Sequence, residues 1–201
     1  MSTEQHSTEL QSTEPQGTES TSAAPRSSEQ ERYQVRFEWG LEGAAAVASD
    51  ADVLVWVDGI PTADVPVDAL PAAPAIVRTG MPEAAAVARW LVDLQQRLGS
   101  RTSIAIVAAG EQRDGGIRFA VEDLLVAGAV IDALAALGLD ATSPEAAAAE
   151  GAYRHLQRAV AHLFTASTTA VQGGSAPAKI DPSLGAGDVE VLRPHTRDVS
   201  A

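Results

Sequence analysis

The stretch SIAIVAAGEQRDGGIRFAVEDLLVAGAVI, residues 103–131, decides the fold. Its opening SIAIVAAG is a short apolar run closed by glycine, which suits a strand buried on both faces. From about Phe119 to Leu137 the chain reads as a long helix, apolar on nearly all sides beyond Asp123 and therefore deeply buried. From the end of the strand into the first turn of the helix lie the acids Glu111, Asp114, Glu122 and Asp123 and the arginines Arg113 and Arg118. Asp114-Gly115-Gly116 forces a turn there. A buried strand that delivers a charged loop and then a buried helix is the repeating unit of an α/β fold.

The flanking sequence repeats this alternation. YQVRFEW, residues 33–39, alternates and is β-rich, and GLEGAAAVA after it fits a short helix. DVLVWVD, residues 52–58, is a buried strand ending in an acid. GIPTADVPVDALPAAP, residues 59–74, is full of turn signals, and AIVRTG is a short strand. From Pro82 a helix places Ala84, Val87, Ala88, Leu91, Leu94 and Leu98 on one face and Arg89, Asp93 and Arg97 on the other. Ser143-Pro144-Glu145 starts a further helix that carries Tyr153, Leu156, Val160 and Leu163. Beyond Gln172 the chain is rich in Gly and Pro, and GDVEVLRP fits a last edge strand. The alternation predicts an α/β domain with a largely buried central sheet over residues 33–172, followed by an extension over 173–201.

Composition bounds the function. The 201 residues carry a formal charge of −13, with one lysine, Lys179, against thirteen arginines. Such a balance argues against nucleic acid, whose phosphates need clustered Lys and Arg. Without cysteine there is no disulfide, thiolate metal site or cysteine nucleophile. No window approaches the roughly 18 apolar residues of a membrane span, and the first residues hold no apolar segment of a secretory signal. A soluble, cytoplasmic protein without a membrane partner is expected. Residues 1–32 form a degenerate five-residue repeat with glutamates at Glu4, Glu9, Glu14 and Glu19, a composition too polar to offset its ordering entropy. They predict a disordered acidic tail.

In an α/β sheet, ligands gather at the carboxyl ends of the strands. Asp58 closes DVLVWVD, and Glu111 follows SIAIVAAG. Glu122 and Asp123 occupy the first turn of the next helix. Converging carboxylates suit magnesium, a hard cation that takes oxygen ligands. Arg113 and Arg118 can grip an anionic substrate in bidentate fashion. A plainer reading stands beside this one: Glu122 and Asp123 complement the helix dipole, Asp114 turns the chain, and Asp58 caps a strand. The sequence holds no serine-hydrolase elbow, P-loop or dinucleotide fingerprint, and His6, His155, His162 and His195 do not fall at metal spacing.

Taken in order, RFEWG (36–40), DVLVWVD (52–58), AAAVARWL (84–91), VAAGEQRDGGIRFAVEDLLVAGAVI (107–131) and SPEAAAAEGAYRHL (143–156) resemble the 2-phosphosulfolactate phosphatases, the ComB-like family, in a shortened and divergent form. The resemblance implies a three-layer α/β/α fold. It also implies magnesium-dependent hydrolysis of 2-phosphosulfolactate to 3-sulfolactate and phosphate. On its pattern, Asp58 and Glu111 are catalytic, Asp58, Glu111, Glu122 and Asp123 hold the metal, and Arg113 and Arg118 bind substrate. Departures from the pattern are specific. The Ser/Thr-rich stretch that follows the first acid in the family reads DGIPTADV here, with Thr62 as its hydroxyl. The family's Asn-Gly-Ser/Thr loop is shortened to Thr79-Gly80, and its Ser-Gly-Arg-Glu-Leu-like segment reads ASTTAVQ. Three functions fit these residues: the family phosphatase, a catalytically impaired relative acting as a binding or interaction protein, and a magnesium-dependent hydrolase of another small anionic phosphate ester. Self-association into a homo-oligomer is compatible with each.

Overall fold

Four short apolar runs become four parallel strands: β1 (Val35–Trp39), β2 (Val53–Val57), β3 (Ala75–Thr79) and β4 (Ile104–Ala108). This computed structural model describes residues 30–173 and 188–197. With β7 (Glu190–Arg193) the strands form one sheet in the order β1-β4-β2-β3-β7, in which β7 pairs antiparallel with β3. The GDVEVLRP stretch thus supplies an edge strand. β4, the strand of the opening sequence, lies between β1 and β2 and is buried along its whole length.

The layers follow from the direction of the crossovers. α1 (Gly40–Ala48) carries the chain from β1 past the position of β4 to β2. α2 (Ala84–Leu98) carries it back from β3 past β2 to β4. Right-handed crossovers travelling in opposite directions place their helices on opposite faces. Accordingly Ala44, Val47 and Ala48 pack with Leu54, Trp56, Ile76, Ala105 and Val107. Val87, Leu91 and Leu94 pack on the other face with Val53, Val55, Val57, Ile104 and Ile106. The strand residues alternate between the two cores, as a pleat of period two requires. The architecture is three-layer α/β/α with a buried central sheet.

α3 (Val121–Ala136) and α4 (Pro144–Leu156) share the face of α2. α3 is buried on nearly all sides from Leu125 to Ile131, as its composition predicts. α4 begins where Ser143-Pro144 places it. The Ser143 hydroxyl accepts the Ala146 N–H at 3.1 Å, and Pro144 occupies the first helical position, where no N–H is needed. Ser143→Ala removes that acceptor, and we expect a loss of ~1 kcal/mol in urea denaturation.

Two details differ from the sequence expectations, and a third adds to them. The helix expected to run on to Leu163 breaks at a 3-10 turn, Gln157–Ala159, and resumes as α5 (Val160–Ala166), which buries Val160 and Phe164. His155 and His162 therefore fall on different helices. The charged loop after β4 is a hairpin of β5 (Glu111–Arg113) and β6 (Gly116–Arg118), with Asp114-Gly115 at its turn. Ser167 ends α5 and also starts a short α6 (Thr168–Gly173), accepting the Ala170 N–H at 3.3 Å.

Of the tail expected over residues 1–32, all but the last three residues lie outside the described residues, as do 174–187 and 198–201 of the C-terminal extension. Among the described residues the domain reaches back to Gln30. Its side-chain amide pairs with the outer edge of β1, donating to the Phe37 carbonyl and accepting the Phe37 N–H, each at 3.0 Å. Among the described residues no helix is long and apolar enough to cross a membrane.

Candidate functional site

The four parallel strands end at one edge of the sheet. The chain leaving β2 packs Val65 and Leu70 against the core on the α1 side. The chain leaving neighbouring β4 returns as α3 on the opposite side. Loops that part in this way open a crevice between the two strand ends. Asp123, in the first turn of α3, lies between those two strand ends. Its Oδ1 accepts the Gly59 N–H just after β2, and its Oδ2 accepts the Gly110 N–H just after β4, each at 2.8 Å. One carboxylate thus joins the ends of two strands to a helix N-terminus.

Gly110 requires glycine, and Gly59 is a close approach. A Cβ at Gly59 would stand 3.1 Å from three atoms of Glu122, two of them backbone. Gly110 has φ +63° and packs where a Cβ would come within 2.5 Å of Ile117. Ile117 seats the β5–β6 hairpin on Gly110 and on Gly40, whose φ is +60°.

Three carboxylates meet here. Burial raises the proton affinity of Asp123, which the Gly59 N–H opposes and the Asp58 charge reinforces, so that its pKa stands at about 7. Burial also raises the Asp58 pKa; Arg78 and the Ile60 N–H pull it back, and Glu122 pushes it further up. Glu122 is 2% exposed, and its Oε2 is fully buried with no hydrogen-bond partner. Desolvating a carboxylate oxygen without a partner is costly.

Glu111 lies apart from this trio, on the hairpin. Its carboxylate pairs with the Nε of Arg118 and, at 3.3 Å, with the Nη2 of Arg113. The Arg118 hydrogen bond, first among these influences, holds the Glu111 pKa below the usual carboxylate range. Arg118 spends its other nitrogens on the Phe119 carbonyl and on the Thr169 hydroxyl of α6, both at 2.9 Å. Arg113 remains about half exposed.

The structure therefore brings Asp58, Glu122 and Asp123 together, and gathers Glu111, Arg113 and Arg118 into a separate ion-pair group. Among the described residues no three His, Cys, Asp or Glu side chains form a metal-binding group. Two participants went unread in the sequence. Arg78 of β3 acts on Asp58 across the strand ends, which its place in AIVRTG does not announce. Thr169 holds Arg118 from a segment 51 residues away. No family model matches the sequence, and no curated protein matches it.

Proposed function

We propose that the carboxyl edge of the sheet binds magnesium and hydrolyses a small anionic phosphate ester of the 2-phosphosulfolactate type. The observation that carries this reading is the buried, unpartnered Oε2 of Glu122 beside the raised carboxyl of Asp58. A buried anionic oxygen with no donor fits a cation. Magnesium is commonly held by one or two carboxylates, with waters and substrate phosphate completing its shell. Glu122 and Asp58 would supply those carboxylates. Bound magnesium supplies charge neutralisation and polarisation of the phosphoryl oxygens.

The remaining roles follow from the partners already described. Asp58 is less buried than Glu122 and Asp123, and its raised proton affinity suits it to take the proton of an attacking water. Asp123 holds the crevice in shape through two strand ends. Arg113 is the cation more open to a substrate sulfonate or carboxylate, with Glu111 orienting it and Arg118 bracing the hairpin. A cytoplasmic location goes with this chemistry. A second reading, anion binding without turnover, draws on the self-paired Glu111 group and on Thr79. The Thr79 hydroxyl donates to the Gly80 carbonyl at 3.0 Å and the residue is 1% exposed, so it offers substrate no hydroxyl in place of the Asn-Gly-Ser/Thr loop of the resembled family.

Phosphate release from 2-phosphosulfolactate, with magnesium and then with chelator, tests the first reading; magnesium titration by calorimetry runs beside it. Chelator-sensitive release that Glu122→Gln diminishes is the expected result. Magnesium binding that needs Glu122, in folded protein that releases no phosphate across a panel of esters, points to the second reading. Absence of magnesium binding sinks the site as drawn.

A further inference from the structure

An arginine stands next to the last residue of β3, beside the acids of the site. The ladder between β2 and β3 sets Arg78 opposite Trp56 and runs on to Asp58, whose N–H donates to the Thr79 carbonyl at 3.1 Å. Trp56 and Ile76 pack on the α1 side of the sheet. The pleat therefore turns Asp58 and Arg78, each two residues further on, toward that same side. Across the other edge of β3 the antiparallel register puts Glu190 of β7 opposite Arg78. The carboxyl edge thus carries Glu190, Arg78 and Asp58 in a row, and Asp58 lies within electrostatic range of both Arg78 and Glu122.

Arg78 differs from the other arginines packed into the domain. Arg36 donates to Asp50 and to the carbonyls of Glu31, Tyr33 and Val47. Arg193 donates to the carbonyls of Val67, Pro71 and Pro74. Arg118 is held by Glu111, Phe119 and Thr169. Arg78 makes one ion pair among the described residues, with the Glu190 Oε2 at 3.8 Å, which is longer than a hydrogen bond. Its side chain is 25% exposed and that of Glu190 56%. A planar fork of N–H donors in that position suits an anion that accepts two parallel bonds.

We propose that Arg78 binds the phosphoryl group of the ester and that Glu190 is the counter-ion the phosphate displaces. This role rests on the phosphate-ester site read above, because it sets the phosphoryl group beside Asp58 and Glu122. A phosphate there is repelled by the carboxylates unless cations face it. Magnesium would do so from the side of Glu122, and Arg78 does so from the side of β3. Arg113 and Arg118 stand apart with Glu111 on the hairpin, which leaves them the substrate's other anionic groups. Guanidinium stays protonated, so Arg78 acts through charge and hydrogen bonds and transfers no proton. Its pair with a half-exposed glutamate is weak, and a doubly charged anion gripped by the fork displaces it.

Inorganic phosphate is the probe, titrated into the full chain by calorimetry with magnesium and again with chelator. Arg78→Gln should weaken phosphate about tenfold or more, the loss expected for a charged hydrogen-bond donor, while magnesium affinity does not fall. Arg78→Lys keeps the charge without the fork and should lie between wild type and Arg78→Gln. Glu190→Gln should tighten phosphate roughly threefold, and by less than about twofold in the Arg78→Gln background. Should Arg78→Gln fail to fold, Arg78→Lys and Glu190→Gln carry the test. Phosphate that binds wild type and Arg78→Gln alike, in protein whose magnesium binding needs Glu122, overturns the role of Arg78 and leaves the metal site standing. Phosphate binding that needs Arg78 in protein without magnesium affinity does the reverse. A tightening by Glu190→Gln that persists in full without Arg78 is a general charge effect and overturns the displaced counter-ion. Wild-type protein that binds no phosphate in either condition overturns the assignment outright.

Discussion

Asp123→Asn should flatten the dependence of stability on pH between about 4 and 7. In the native protein Asp123 titrates near 7, against an ordinary value of 3.8, chiefly because its carboxyl is buried. A raised acid binds its proton more tightly folded than unfolded, so across this interval the folded state carries the extra proton. Stability then falls as pH rises from about 4 and levels off above about 7. Each tenfold change in proton affinity is ~1.4 kcal/mol, so keeping this carboxyl ionised costs the fold about 4 kcal/mol at neutral pH. That is a large part of a typical domain's stability of roughly 5–15 kcal/mol. Asp58 is displaced in the same direction and adds to the slope. Asp52 and Glu111 are displaced the opposite way, so what they contribute is present above their ordinary values of 3.8 and 4.5 and fades only in more acidic solution. Urea denaturation from pH 4.5 to 8 should therefore show the wild-type protein most stable at the acidic end. The substituted amide carries no charge at either end, so the Asp123→Asn variant should lose most of the slope. It should also lose roughly 1–3 kcal/mol at pH 4.5, because an amide cannot accept from both the Gly59 and the Gly110 N–H. A wild-type stability that rises from pH 5 to 8 would contradict the buried clamp.

The same crevice shows what the sequence discloses and what it withholds. The strands and the first helices were legible because each is a single hydrophobic pattern: VLVWV and IAIVA are continuous runs, and the buried positions Val87, Leu91 and Leu94 of α2 recur at helical spacing. The β5–β6 hairpin was legible only as a turn. Its strands are three residues each, and Ile117 is their one large apolar group, so alternation has no room to register. The break before α5 is marked by neither Pro nor Gly; packing of Val160 and Phe164 re-aims the chain instead. At the site, residue type and position found Asp58, Glu122 and Asp123. Type and position do not tell which carboxylate is tied down. Asp123 is held by two backbone N–H groups and Glu111 by two arginines, whereas one oxygen of Glu122 is held by nothing. That distinction depends on strand ends brought together from residues 59, 110 and 123, and no local pattern encodes it.

Two glycine-to-alanine changes, one in α3 and one in α4, should move stability in opposite directions. Alanine is favoured over glycine inside a helix by roughly 1 kcal/mol, because glycine gives up more backbone freedom on folding. Gly151, in α4, has nothing within 4 Å of the place its Cβ would take, so Gly151→Ala should raise stability by roughly 0.5–1 kcal/mol. Gly128, in the middle of α3, faces α4 directly. A Cβ there would stand 2.2 Å from the Ala149 carbonyl oxygen and 2.6 Å from the Tyr153 Cβ. Neither neighbour can swing aside, since one is helix backbone and the other the first atom of a side chain. The two helices would have to separate, and α4 would lift from the core that buries Ala146 and Ala149. Overpacking of this kind typically costs about 1–3 kcal/mol, and contact with backbone places it at the upper end. Gly128→Ala should therefore destabilise by roughly 2–3 kcal/mol despite its better helix propensity, and Gly128→Val by more. Midpoints of urea denaturation for the alanine pair settle the matter. If Gly128→Ala proves as stabilising as Gly151→Ala, α3 and α4 do not approach as closely as this packing requires.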